Sequence, residues 1–210
     1  MTSLVVFNIS KRIVYLSTHP PHIHLMHAHT FHSAWQKAKT LPLNTLGTDP
    51  LLKTTGIAIL LAGVLEDDDK KEEAYKIYKE ALWHLQSARL NLPPPSADAP
   101  QPDLGGVENL KLLTPPERMR AAALSHRLGH LASELKKPEE EEEKWLTWSV
   151  NAILMAVMKA PSGSKIVPER TGNLLMMGGD MGLPPWARDH DIAAPFEALG
   201  TFYADRGNSS

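Results

Sequence analysis

Three times in this chain a leucine is followed by a very small residue inside a helical apolar pattern. The segments are Ala58-x2-Leu61-Ala62-x2-Leu65, Ser125-x2-Leu128-Gly129-x2-Ala132 and Phe196-x2-Leu199-Gly200-x2-Tyr203. Positions i, i+3, i+4 and i+7 share one face of an α-helix. Each segment therefore presents a stripe with a gap in its middle, where a second backbone can come close. A strand has no use for that spacing, because its faces alternate with a period of two. The predicted fold is all-α, built of antiparallel helix pairs.

The surrounding residues supply the partner helices. "LLKTTGIAILLAGVL" (51–65) is apolar all round and reads as a buried helix. After the acidic turn "EDDDKKEE", Ala74, Ile77, Tyr78, Ala81, Leu82 and Leu85 follow an amphipathic rhythm. "LPPPSADAPQPDLGG" (92–106) opens a Pro-rich linker that extends to residue 113. Thr114 and Glu117, with two prolines between them, form a capping-box signature for a helix running to about Leu135. Pro138 opens another helix, whose run of five glutamates complements the positive end of the helix dipole. Residues 160–184 read as an irregular loop, and a last helix starts between Pro184 and Asp191.

The second helices also carry small residues at a fixed spacing: Ala74-x3-Tyr78-x2-Ala81, and Trp145-x3-Ser149-x2-Ala152. Taken together, these segments resemble the tetratricopeptide repeat (TPR), a helix pair with W-x2-LG-x2-Y on its first helix and A-x3-F-x2-A on its second. The resemblance covers roughly residues 55–90, 114–158 and 190–208, with longer connections than a regular array. It implies a divergent TPR-like α-solenoid in which no pair covers its own apolar face, so neighbours must stack. The third copy has a first helix and no second. The resemblance thus implies a chain truncated within its third repeat, or one whose partner supplies the missing helix.

Charge and composition bear on function. There is no cysteine, which removes thiolate chemistry and Cys-based zinc sites. A net charge of −2 gives no electrostatic reason to expect nucleic-acid binding. The charge is unevenly spread. Residues 1–48 contain no acid and only Lys11, Arg12, Lys37 and Lys39, so the remainder holds the whole negative excess. Residues 1–50 are expected to be a low-complexity, disordered leader, with an acid-free composition similar to a mitochondrial presequence. Mitochondrial localisation is the expectation, with a cytoplasmic one as alternative. Neither "LVVFNISKRIVYL" nor residues 51–65 makes a firm membrane span, because charges interrupt both and the second is short of a span's roughly 20 residues.

The candidate chemistry is sparse. Six of the ten histidines fall between His19 and His32, at mixed spacing and broken by prolines, which fits adventitious metal affinity better than a built site. His126 and His130 have the i, i+4 spacing of a zincin pair, but "HRLGH" lacks the glutamate that would act as base. "MMGGDMG" (176–182) lacks the Lys-Ser/Thr ending of a phosphate loop. Asp189-His190-Asp191 suggests a metal or acid–base cluster, with Asp191 equally suited to cap a helix. Trp145 and Trp148 read as core.

The reading is therefore a non-catalytic scaffold that binds a protein or peptide partner and needs no cofactor. It fits a mitochondrial assembly or quality-control factor. The TPR resemblance implies a concave groove lined by first-helix residues: His126, His130, Ser133, Glu134, Glu197, Thr201 and Asp205. Ile59, Gly63 and Glu66 join them on the first copy. The family's clamp for a C-terminal carboxylate is not matched, since Ile59, Gly63 and Ala194 stand at its positions and only Arg127 is suitably charged. A carboxylate-rich groove suits a basic or amphipathic peptide. The alternative is a metal-dependent enzyme using His126 and His130.

Overall fold

A computed structural model describes residues 21–90, 107–158 and 189–207. Among these residues there are six α-helices, two short 3-10 turns and no strand. The helices are α1 (Pro21–Thr40), α2 (Pro50–Asp67), α3 (Lys71–Leu90), α4 (Pro115–Glu134), α5 (Glu139–Met158) and α6 (Asp189–Gly207). Each packs on the helix before it: α2 on α1, α3 on α2, α4 on α3, α5 on α4 and α6 on α5. In addition α2 touches α4, and α4 touches α6.

The first two small-residue motifs do what their spacing predicts. Ala58, Leu61, Ala62 and Leu65 are buried on α2, and Ser125, Leu128, Gly129 and Ala132 on α4. Their partners are buried as well: Ala74, Ile77, Tyr78, Ala81, Leu82 and Leu85 on α3, and Trp145, Ser149 and Ala152 on α5. The closest approach is at Gly129. A Cβ placed there would stand 2.6 Å from Leu146 Cδ2 and 2.9 Å from its Cγ, far inside van der Waals contact. Beside it the Ser125 hydroxyl donates to the Trp145 carbonyl at 2.6 Å, so even the polar group on this face is used to join α4 to α5.

Both pairs turn the same corner. Seven residues beyond Ala62 and Gly129, Asp69 and Lys136 adopt left-handed backbone, with φ of 60° and 53°. The Lys70 N–H donates to Leu65 O at 2.8 Å and the Lys137 N–H to Ala132 O at 2.9 Å. Asp69 and Lys136 donate three residues back, to Glu66 and Ser133. This is a Schellman closure, in which two otherwise orphaned carbonyls at the helix end are satisfied. Its usual glycine is absent from both turns, so the sequence does not advertise it.

Three expectations need correction. The predicted leader is helical from Pro21 to Thr40, while residues 1–20 lie outside the described residues. Trp35 is fully buried and Ala38 nearly so, which makes α1 part of the helical body. Trp35 donates its indole N–H to Glu80 of α3 at 3.1 Å, and Lys39 reaches the same carboxylate at 2.9 Å. The predicted linker ends earlier than residue 113: Val107–Leu112 form a 3-10 turn, and Leu110 and Leu113 are buried. The loop assigned to 160–184 and the rest of the linker lie outside the described residues. Asp191 sits within the first turn of α6, so it is not its cap. The third motif, read as a first helix with no second, is not enclosed. Among the described residues, Gly200 has nothing within 4 Å of its would-be Cβ, and Phe196 and Tyr203 are 41% and 48% exposed. α6 packs instead through Phe202, Pro195 and the partly buried Ile192; Pro195 lies inside the helix.

Two substitutions measure these packing claims. Gly129→Val should lower unfolding free energy in urea by about 2 kcal/mol, because Leu146 cannot vacate a close-packed core without strain. Trp35→Ala should cost roughly 3 kcal/mol through the cavity it leaves. A loss near zero would instead detach α1 from the folded body.

Candidate functional site

The sequence-predicted groove residues fall on three helices: Ile59, Gly63 and Glu66 on α2, and the rest on α4 and α6; α4 touches both of the others. Ser133 and Glu134 are exposed near the end of α4, His130 is exposed, and His126 is half-buried. Glu197, Thr201 and Asp205 stand at i, i+4 and i+8 on α6 and are all exposed. They form a strip separate from the Phe196–Gly200–Tyr203 face. Polar, solvent-facing side chains on adjoining helices are what a recognition surface requires, and no residue among them is in the core.

Within the α4 set, His126 and His130 meet. Their Nε2 atoms are 3.0 Å apart and the rings stack edge to face at 4.5 Å. At that distance one ring must hold its proton while the other accepts it, so the pair is stable only with at least one ring neutral. Burial pushes the His126 pKa down to about 4, with His130 and Arg127 adding repulsion. His130 is lowered too, by burial and then by Arg127, against the opposing pull of Glu134 and Glu142. Two imidazoles at this spacing offer two ligands to a first-row transition metal. Among the described residues, no group of three or more His, Cys, Asp or Glu converges on one point.

Glu134 is held by cations on two helices: Lys71 Nζ at 3.1 Å and Arg127 Nη1 at 3.5 Å. Arg127 also forms a two-pronged pair with Glu66 of α2. The Tyr78 hydroxyl of α3 lies against that pair, and its pKa is raised by burial first and by Glu66 second. Arg127, the one groove cation the sequence offered for a carboxylate ligand, is thus engaged in tying α2 to α4. Glu66 is engaged in the same way.

Other polar groups work inside the fold. The Glu117 carboxylate is almost fully buried and takes three donors: the Thr114 N–H at 2.9 Å, which belongs to the expected capping box, and Arg89 of α3 at 2.6 and 3.1 Å. Arg118 is 7% exposed and donates to the carbonyls of Leu110, at 2.9 Å, and Met155, at 3.1 Å. It thereby satisfies a carbonyl in the last turn of α5, where the helix has no donor of its own. The Trp145 indole donates to the Tyr75 hydroxyl at 2.7 Å, which in turn donates to Glu141 at 2.6 Å. Apart from the capping box, sequence reasoning missed these links. The only available signal was an arginine at position 118 on a helix face otherwise built of Ala121, Ala122 and Ser125.

The remaining candidates are less organised. His190 reaches Asp191 at 3.0 Å on the exposed start of α6. His29 and His32 are exposed on α1. "MMGGDMG" and His19 lie outside the described residues. Trp145 and Trp148 are buried, as expected of core residues.

The histidine pair makes stability pH-dependent. Both folded-state pKa values lie below the ordinary 6.5, so the unfolded chain binds more protons and stability falls as pH drops from about 6.5 toward 4. His84, lowered by burial against Trp35 and by Lys39, acts in the same direction. His126→Gln should flatten this profile by about 1–2 kcal/mol, less than the full linkage value because the ring is partly screened by water. Urea unfolding at a series of pH values reads the change.

Comparison of the chain with family models, with curated proteins and with solved structures returns no match.

Proposed function

We propose that this chain is a non-catalytic protein–protein interaction scaffold, with TPR-like helix pairs that bind a basic or amphipathic segment of a partner protein. The observation that carries this reading is the combination of order and surface. Helices pack in sequence, the first helices α2, α4 and α6 touch across their partners, and two consecutive pairs share one turn geometry. A solenoid of stacked pairs has that pattern, and it leaves the first helices to line one side. In this reading that side of α4 and α6 holds His126, His130, Ser133, Glu134, Glu197, Thr201 and Asp205, and with Glu134 paired to Lys71 and Arg127 its acidic character comes from Glu197 and Asp205.

An acidic strip of this kind steers a cationic partner and fixes its register more than it adds affinity. The proposal extends to compartment: the acid-free first 48 residues favour a mitochondrial assembly or quality-control role. If import includes cleavage, the cut falls before α1, because Trp35 is part of the core.

The test is affinity capture from the native organism with the full chain, followed by salt titration of whatever protein is retained. The double variant Glu197→Lys, Asp205→Lys should weaken that binding about tenfold, with most of the change in association rate. Binding that survives both charge reversal and high salt would remove the strip from the interface.

A further inference from the structure

The third motif is the open counterpart of a face the chain covers elsewhere. On α4, Leu128 and Gly129 lie under α5, and Leu146 occupies the space a Gly129 side chain would need. Among the described residues nothing covers the same register on α6: Phe196 and Tyr203 face solvent on either side of an exposed Gly200. Neither feature suits a plain surface helix. Exposed aromatic rings forgo burial, and glycine in a helix interior costs about 1 kcal/mol relative to alanine. Both suit a helix that receives another.

The edge of this face is acidic. The Tyr203 hydroxyl donates to Glu143, and Arg206 pairs with Glu139 at 2.8 Å, which brings the glutamate-rich first turn of α5 alongside. We propose that the Phe196–Gly200–Tyr203 face docks an amphipathic, cationic α-helix of a partner protein. That helix sets a branched aliphatic side chain over Gly200, as Leu146 sits over Gly129, and its Lys or Arg residues meet the carboxylates of α5. A second copy of this chain would bring the same acidic edge against itself, and like charges oppose association. This inference rests on the scaffold reading and adds a second surface to it, distinct from the Glu197–Thr201–Asp205 strip.

The test uses the full chain and a fluorescein-labelled helical peptide of leucine and lysine, about 18 residues long so that it can form several turns, with leucines at i, i+3, i+4 and i+7. A counterpart with glutamate for lysine is the charge control. Anisotropy should show the lysine peptide binding at least about tenfold tighter than the glutamate one. Gly200→Gln should weaken it by about tenfold or more. Gly56→Gln, at a glycine with equally open space on α2, should leave binding unchanged. Because nothing crowds either glycine, both variants should keep or raise the thermal midpoint, which separates loss of docking from loss of fold. Wild-type affinity in Gly200→Gln overturns this docking face, even where Glu197→Lys, Asp205→Lys abolishes capture and the scaffold reading stands. A dimer in sedimentation velocity that dissociates in Phe196→Ser assigns the face to a second copy and also overturns it.

Discussion

The close contact of α4 and α5 at Gly129 is the constraint on which the rest depends. With no side chain at that position, Leu146 drops into the gap and its neighbours are drawn along with it: Trp145 comes within reach of Tyr75, and Ser125 within reach of the Trp145 carbonyl. Were the helices held a methyl group further apart, these short hydrogen bonds could not form at their observed lengths. The polar contacts thus report the packing distance and also depend on it.

A second feature follows from that tight packing. Where helices pack closely, their ends are buried, and each end brings carbonyls or N–H groups that need partners. Arg118 meets this need at two such ends, and other long cationic side chains cross between elements to reach carboxylates. Arg118 reaches the ends of the 3-10 turn and of α5, Arg89 ties the end of α3 to the start of α4, and Arg127 bridges α2 and α4. Removing one member of such a pair leaves the other charge without its partner in a poorly hydrated place, so these links favour one arrangement over near alternatives.

Much of the fold was legible in the sequence because it rests on periodicity. The six apolar positions of α3 and the buried face of α2 could be read directly, as could the Thr114–Glu117 cap and the acidic start of α5. What could not be read has a physical reason in each case. Among its described side chains α1 buries little more than Trp35 and Ala38, too few anchors to impose a visible period. The turns at Asp69 and Lys136 use residues that do not usually adopt left-handed backbone. The pairing of Arg127 with Glu66 joins positions far apart in sequence, and local pattern holds no trace of it. The candidate strip was legible as a set of polar first-helix positions. The open face at Gly200 follows the same reading, in which the third motif has a first helix and no second.

Pro195 gives α6 a particular place in the molecule's internal hierarchy. It has no N–H to donate to the carbonyl one turn back, so α6 lacks one rung of its ladder. Among the described elements α6 also packs chiefly on α5, whereas α2 to α5 each have a neighbour on both sides. A segment with one missing rung and one principal neighbour opens at a lower free energy than the whole. In amide exchange, α6 would form the softest cooperative unit, exchanging before the α4–α5 pair it rests on. Any ligand seated on it would then register first as a slowing of that local opening.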